Sequence, residues 1–475
     1  MLIYSILGFL RPAVYILLFP FYTSHLNESE YGLYNLMLDV GAFAMIVVSF
    51  RISSAMLTYY YNYVHDRSQV KAYLSSSFSS ALLIGAVTVS ISYFIGPYIF
   101  PFVFKSDVIT FFPYGMTVIA YAAMNETGMV YLTYLKNEKE IIKFSILIII
   151  QVTSVVFFQV LFVAYYDMNV FGALLGMVVG WSLVLTSMII MEKGMLTTKI
   201  NWSMVRNAAK FGIALMPYLI IYWLLLQGGR IFLERDSSLE IVALFAVIMV
   251  LTRLIILGIE SVVNGLRPFM FDQFALGDKG NKSQIGLLTK MIIIVPLFTI
   301  PVINLVGTNI LLFTPDESYV EIAPYMTYAS LVVFAFTYVK LFYQQLIFAK
   351  RSDLATLLSF VALIFLIAGF VYLIPRYEIW GVLTATLIAN IILSLLFFIA
   401  GQKVIHVDYD MKAIILYPIL IFAIIFLIEK FMIGAGYSYN YFGLVQFIVI
   451  TILLLVINGR NFSDYKLLFM NRNKS

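Results

Sequence analysis

Cysteine is absent from this 475-residue chain, which removes disulfide frameworks, thiolate catalysis and cysteine-ligated metals or clusters from consideration. Charge is scarce, with Asp, Glu, Lys and Arg making up 12% of the residues. Histidine occurs only at His25, His65 and His406, far apart in sequence, and neither a metal nor another cofactor is expected. No segment resembles a nucleotide-binding loop, which argues against direct drive by ATP. A nucleic-acid partner is not expected. Met1-Leu2-Ile3-Tyr4 carries no basic segment, and no small-residue cleavage site follows the first apolar stretch. That stretch is therefore expected to be a retained helix rather than a signal peptide.

What the chain has in abundance is apolar surface: 62% of its residues are hydrophobic and its mean hydropathy is +0.96. A soluble core cannot hide that much, so the chain belongs in a bilayer. A spanning helix needs about 20 mostly apolar residues. Such stretches occur at 2–24, 32–58, 73–96, 108–134, 141–165, 170–191, 211–229, 239–263, 286–314, 320–348, 353–374, 379–400, 411–428 and 441–458. The expected class is an all-α polytopic membrane protein of about 14 transmembrane helices, with no room for a soluble domain. The fifth and sixth helices are separated only by Tyr166-Asp167-Met168-Asn169, and the eleventh and twelfth only by Pro375-Arg376-Tyr377-Glu378.

Orientation follows from the basic residues when alternate loops are assigned to opposite sides. One set of loops carries 21 of the 30 Lys and Arg residues, the opposite set only Lys105, Arg230, Arg235, Arg376 and Lys430. The excess belongs on the cytoplasmic side, which puts both termini in the cytoplasm. The chain also repeats itself. Glu30-Tyr31-Gly32-Leu33-Tyr34 corresponds to Glu240-Ile241-Val242-Ala243-Leu244-Phe245, the region of Lys136 to that of Lys350, and Phe171-Gly172-Ala173-Leu174 to Trp380-Gly381-Val382-Leu383. Three matches in one order at nearly one offset predict two six-helix lobes related by a pseudo-twofold axis along the membrane normal, followed by two further helices. The expected organisation is a first lobe over 1–191, a cytoplasmic linker over 192–210, a second lobe over 211–400, and two helices with a tail over 401–475.

On these residues the chain resembles a known family. Glu30-Tyr31-Gly32-Leu33-Tyr34 after an early Pro-containing helix, Lys136-Asn137-Glu138-Lys139 after the fourth helix, Phe211-Gly212-Ile213-Ala214-Leu215-Met216-Pro217, and Trp380-Gly381 are similar to elements of the Wzx-type O-antigen and polysaccharide flippases of the multidrug/oligosaccharidyl-lipid/polysaccharide (MOP) superfamily. The resemblance spans nearly the whole chain. It implies a flippase that moves oligosaccharide repeat units linked to undecaprenyl diphosphate across a bacterial plasma membrane, without enzymatic chemistry. The implied partners are the lipid-linked oligosaccharide, membrane lipids, and a polysaccharide polymerase with its chain-length machinery.

Seven ionisable residues sit inside the apolar stretches: Arg11, Asp39, Arg51, Glu126, Arg253, Glu260 and Lys340. A lipid-facing Arg or Lys at a helix centre opposes insertion by about 2.5–3.5 kcal/mol, so each must face a cavity, a partner or the interface. Arg11, Arg51, Arg253 and Lys340 are the candidate diphosphate-binding cations. The bland readings are an ion pair with Asp39 for Arg11, and snorkelling to the interface for Arg51 and Lys340. Asp39, Glu126 and Glu260 are candidates for ion coupling. Against this, Glu126 can form a polar patch with Asn125 and Thr127, and Glu260 can cap the polar end near Asn264 and Arg267. Tyr222, Gln227 and Asn390 are candidate sugar contacts that could equally bridge helices.

Other functions fit less well. A drug or metabolite antiporter would be expected to favour intramembrane carboxylates for cationic cargo, whereas cations outnumber acids here. A membrane polymerase should carry a substantial outer loop, and a scaffold would not need so many buried charges.

Overall fold

The computed structural model describes residues 14, 17–276, 282–310, 317–437 and 439–458. Among these residues there is no β-strand, and helices follow one another with short connections. The chain forms two compact units, Met1–Ala243 and Leu244–Ser475.

The first unit holds α1 (Phe19–His25), α2 (Glu28–Val47), α3 (Ile52–Tyr59), α4 (Arg67–Val103), α5 (Met116–Asn137), α6 (Ile141–Val160), α7 (Asn169–Met191), α8 (Trp202–Trp223) and α9 (Gly229–Asp236). The Glu30-Tyr31-Gly32 element has a local reason. Asn27 Oδ1 accepts from the Glu30 N–H at 2.9 Å while Glu30 Oε2 accepts from the Asn27 N–H at 3.0 Å, a reciprocal cap on the orphan donors of α2. The other Glu30 oxygen accepts from Asn169 Nδ2 at 2.7 Å, so the same carboxylate ties α2 to α7.

The segment 192–210, expected as a linker between lobes, lies within the first unit. The Thr197 and Asn201 N–H groups donate to Ser79 Oγ and Ser76 Oγ on α4, at 2.9 and 3.0 Å, and from Trp202 the chain is already helical.

Opposite α4, Glu138 closes the end of α5. Its carboxylate accepts from Arg67 Nη1 at 2.6 and 2.5 Å and from Tyr60 Oη at 2.9 Å. Burial alone would raise Glu138, but the hydrogen bonds from Arg67 and Tyr60 outweigh it and hold the carboxyl below its ordinary value.

The second unit holds most of α10 (Leu239–Leu276), then α11 (Lys282–Thr308), α12 (Ala323–Phe348), α13 (Ser352–Val404), α14 (Tyr417–Gly434) and α15 (Tyr439–Asn458). At 53 residues, α13 is too long for one crossing, and it breaks at Glu378, whose φ is 47° and ψ −119°. Beyond the break the chain doubles back, with Gly381 lying against the Leu373 carbonyl.

Nine helices among the described residues are long and apolar enough to cross a membrane, and ten if the bent α2–α3 pair is one span. The remaining expected spans have plain explanations. The broken α13 holds two, α5 is too polar to pass on composition, α15 has a shorter apolar stretch, and most of the first expected helix lies outside the described residues. The protein is a multi-pass, all-helical membrane protein.

Candidate functional site

The chain between α2 and α3 turns through 50°. Phe50 and Arg51 both adopt positive φ, 48° and 53°, so the hydrogen-bond ladder of α2 stops there and α3 starts again with Arg51 at its N-cap. The bend is seated on α8. A Cβ at Gly212 would fall 1.9 Å from the Phe50 carbonyl oxygen, so only glycine admits this approach. Phe211 adds an edge-on contact to Tyr59 with ring centroids 5.6 Å apart.

Carried on the bend, Arg51 Nη1 donates to Glu126 Oε1 of α5 at 2.7 Å, and Ser53 Oγ donates to Glu126 Oε2 at 2.7 Å. Both carboxylate oxygens are thus satisfied. Glu126 is 4% exposed and Arg51 23%, so the acid is the deeper of the two. The pair opens onto a cavity of about 330 Å³ whose polar lining also includes Tyr121, Asn125, Gln151 and Gln159. Gln151 Oε1, Gln159 Oε1 and Arg51 Nε are buried there without hydrogen-bond partners. The expected patch around Glu126 is divided: Thr127 Oγ1 donates to the Ala123 carbonyl at 2.8 Å and Asn125 Nδ2 to Tyr121 Oη at 3.3 Å, while Glu126 takes Arg51 and Ser53.

Asp39 is held by a residue assigned from sequence to an outer loop. Arg230, in α9, places Nη1 2.8 Å from both Asp39 oxygens, and Trp223 Nε1 donates to the Asp39 carbonyl at 3.1 Å. Arg230 is buried because α8 continues through a wide turn at Leu224–Gly228 into α9 rather than ending at 229. Gln227, in that turn, leaves its buried Oε1 without a partner. Tyr222 stacks on Tyr218 with centroids 6.3 Å apart. Nearby, Glu234 accepts from the Lys105 and Ser106 N–H groups at 3.1 and 2.7 Å, a tie that no sequence pattern announced. Arg11 lies outside the described residues.

In the second unit, Lys340 Nζ lies 3.1 Å from Glu260 Oε1 and 5.0 Å from the Phe336 ring centroid. Arg267, one of the groups expected near Glu260, instead donates to Gln344 Oε1 and Asn264 Oδ1, both at 2.8 Å. Asn390 Nδ2 donates to the Val332 carbonyl at 3.3 Å, bridging α13 to α12. Arg253 differs from the other cations. It is exposed, and it has no hydrogen-bond or ion-pair partner among the described residues. It also stands at the midpoint of the apolar stretch Leu239–Arg267, about 21 Å from either end by helical rise. That distance is beyond the reach of a snorkelling side chain.

With this geometry the chain compares closely with solved transporters. It matches lipid II flippase MurJ in an inward closed conformation at a TM-score of 0.65 and 14% identity, over 96% of this chain and 99% of that one. It matches the eukaryotic MATE transporter AtDTX14 at 0.55 and 14%, over 84% and 99%. An inward-facing MATE family transporter of the MOP superfamily matches at 0.57 and 13%, over 80% and 94%. The fold is that of MATE transporters and MurJ. No protein-family description and no curated protein sequence matches the chain. At these identities the likeness concerns the fold, so the arrangement of charges must be argued from this chain's own residues.

Proposed function

We propose that the protein is a flippase for oligosaccharide repeat units linked to undecaprenyl diphosphate, working by alternating access in a bacterial plasma membrane with both termini in the cytoplasm. Arg253 carries the reading. A guanidinium at mid-span, exposed and without an acidic partner among the described residues, is stabilised by an anionic guest such as a diphosphate. A fold match over 96% of the chain to a flippase of a lipid-linked substrate supports the same class. Arg51 and Lys340 are the further candidate phosphate contacts, each now paired with an acid that a stronger anion could displace. Arg11 remains a fourth candidate. Tyr222, Gln227 and Asn390 are candidate sugar contacts. Asp39, Glu126 and Glu260 are the candidates for coupling transport to an ion gradient.

The test is reconstitution into proteoliposomes with a fluorescent undecaprenyl-diphosphate oligosaccharide, scored by accessibility of the headgroup on each face. Arg253→Ala should reduce the flipping rate by about tenfold or more, equivalent to one lost charge-assisted contact, while insertion and gel-filtration profile stay unchanged. Wild-type flipping by Arg253→Ala would remove the phosphate role of this residue. Absence of flipping by the wild-type protein would remove the substrate class.

A further inference from the structure

Glu429 is a carboxylate within an apolar stretch, Lys412–Gly434, and among the described residues no Lys or Arg pairs with it. Its neighbours are neutral and come from three other helices. Thr327 Oγ1 of α12 is hydrogen-bonded to Glu429 Oε1, and Gln446 Nε2 of α15 donates to the same oxygen at 3.2 Å. Asn304 of α11 stands behind them, its Nδ2 donating to Thr327 Oγ1 at 3.1 Å and to Gln446 Oε1 at 2.8 Å. Ser330 Oγ donates to Asn304 Oδ1 at 3.2 Å. Asn304, Thr327, Ser330 and Gln446 are all buried.

The direction of these bonds is informative. The donors run in series from Ser330 through Asn304 to Thr327 and Gln446, and the last two end on one oxygen of Glu429. When ionised, a carboxylate met only by neutral dipoles lacks a compensating positive charge, which a bound cation would supply. The backbone is shaped around the cluster too. A Cβ at Gly443 would lie 2.5 Å from Leu305 Cα and 2.9 Å from the Asn304 carbonyl oxygen, so glycine lets α15 approach α11 and brings Gln446, one turn on, to Asn304.

We propose that Glu429, Thr327, Asn304, Ser330 and Gln446 form a binding site for a dehydrated alkali cation, Na⁺ being the ion to test. The donor set is one carboxylate with hydroxyl and amide oxygens, which is the chemistry of a hard cation. Its single negative charge matches a monovalent ion, whereas a divalent one would leave an uncompensated positive charge. The site shares no residue with the Arg51–Glu126 cavity or with the Arg253 reading, and it does not depend on what the protein transports.

The experiment is equilibrium binding of ²²Na⁺ to the purified full-length protein in lipid nanodiscs, with choline chloride maintaining ionic strength. Saturable binding is expected for the wild type, no detectable binding for Glu429→Gln, and about tenfold weaker binding for Gln446→Leu. Gel filtration verifies that each variant is folded. Should Glu429→Gln not be recovered folded, Ser330→Ala and Gln446→Leu replace it, both expected to bind more weakly than wild type. Absence of saturable ²²Na⁺ binding to the wild-type protein overturns the proposal, and so does wild-type affinity in the Glu429 variant or in both replacements.

Discussion

Removing the Arg51 guanidinium leaves Glu126 at 4% exposure with only the Ser53 hydroxyl to answer it. Breaking a buried pair on one side destabilises by about 3 kcal/mol or more, whereas replacing both partners with apolar residues of similar volume is often neutral. Arg51→Ala should therefore lower the thermal midpoint in detergent clearly more than the double replacement Arg51→Met with Glu126→Leu. Equal losses would mean that the ion pair is not what the fold requires at this point. Most intramembrane charges were legible in the sequence, because charge in an apolar run is conspicuous. Their partners were not legible, since an ion pair depends on which helix faces which. Arg230 and Glu429 escaped for a more local reason. The expected helices end at 229 and 428, but hydrogen bonding carries them on to Asp236 and Gly434, so each residue sits just past an expected boundary while still inside the helical structure.

Helices were the most legible feature, since about 20 apolar residues in lipid have no other stable spanning form than a helix or a closed barrel. Even the split of α13 could be read from Pro375 and the polar residues after it, where the backbone breaks at Glu378. The bend between α2 and α3 could not be read, as neither Phe50 nor Arg51 is a residue that prefers positive φ. Its support comes from α8. Gly212→Ala should force apart α8 and the Phe50 carbonyl, with a loss of about 1–3 kcal/mol as for other overpacked sites. Thermal denaturation checks the size, and an unchanged midpoint would show that α8 does not hold the bend. The clasp between α4 and α5 gives a pH dependence. Because the folded Glu138 carboxyl is held below its ordinary value, its stabilisation is fully present above the unfolded value and is lost as pH falls through the folded one. Arg67 is 62% exposed, which limits the contribution to about 1 kcal/mol or less. Glu138→Gln should accordingly be less stable than wild type at neutral pH and nearly equal to it in acid. A constant difference across that range would assign the effect to packing.

For the whole molecule, the 21 to 5 division of loop cations makes a prediction that needs no side-chain detail: a fluorescent protein fused after residue 475 should mature in the cytoplasm, and a phosphatase fused there should stay inactive. Active phosphatase would reverse the assignment of every loop. The MurJ and MATE likeness concerns the path of the chain, and at 14% identity it leaves the chemistry to particular residues. The pairing of Asp39 with Arg230 bears on how such a chain is made. The two residues are 191 positions apart, so at about 5–20 residues per second the guanidinium leaves the ribosome about 10–40 s after the carboxylate. By this timing α2 is made before Arg230 exists, and the α8–α9 segment completes, rather than merely joins, the structure begun by α2.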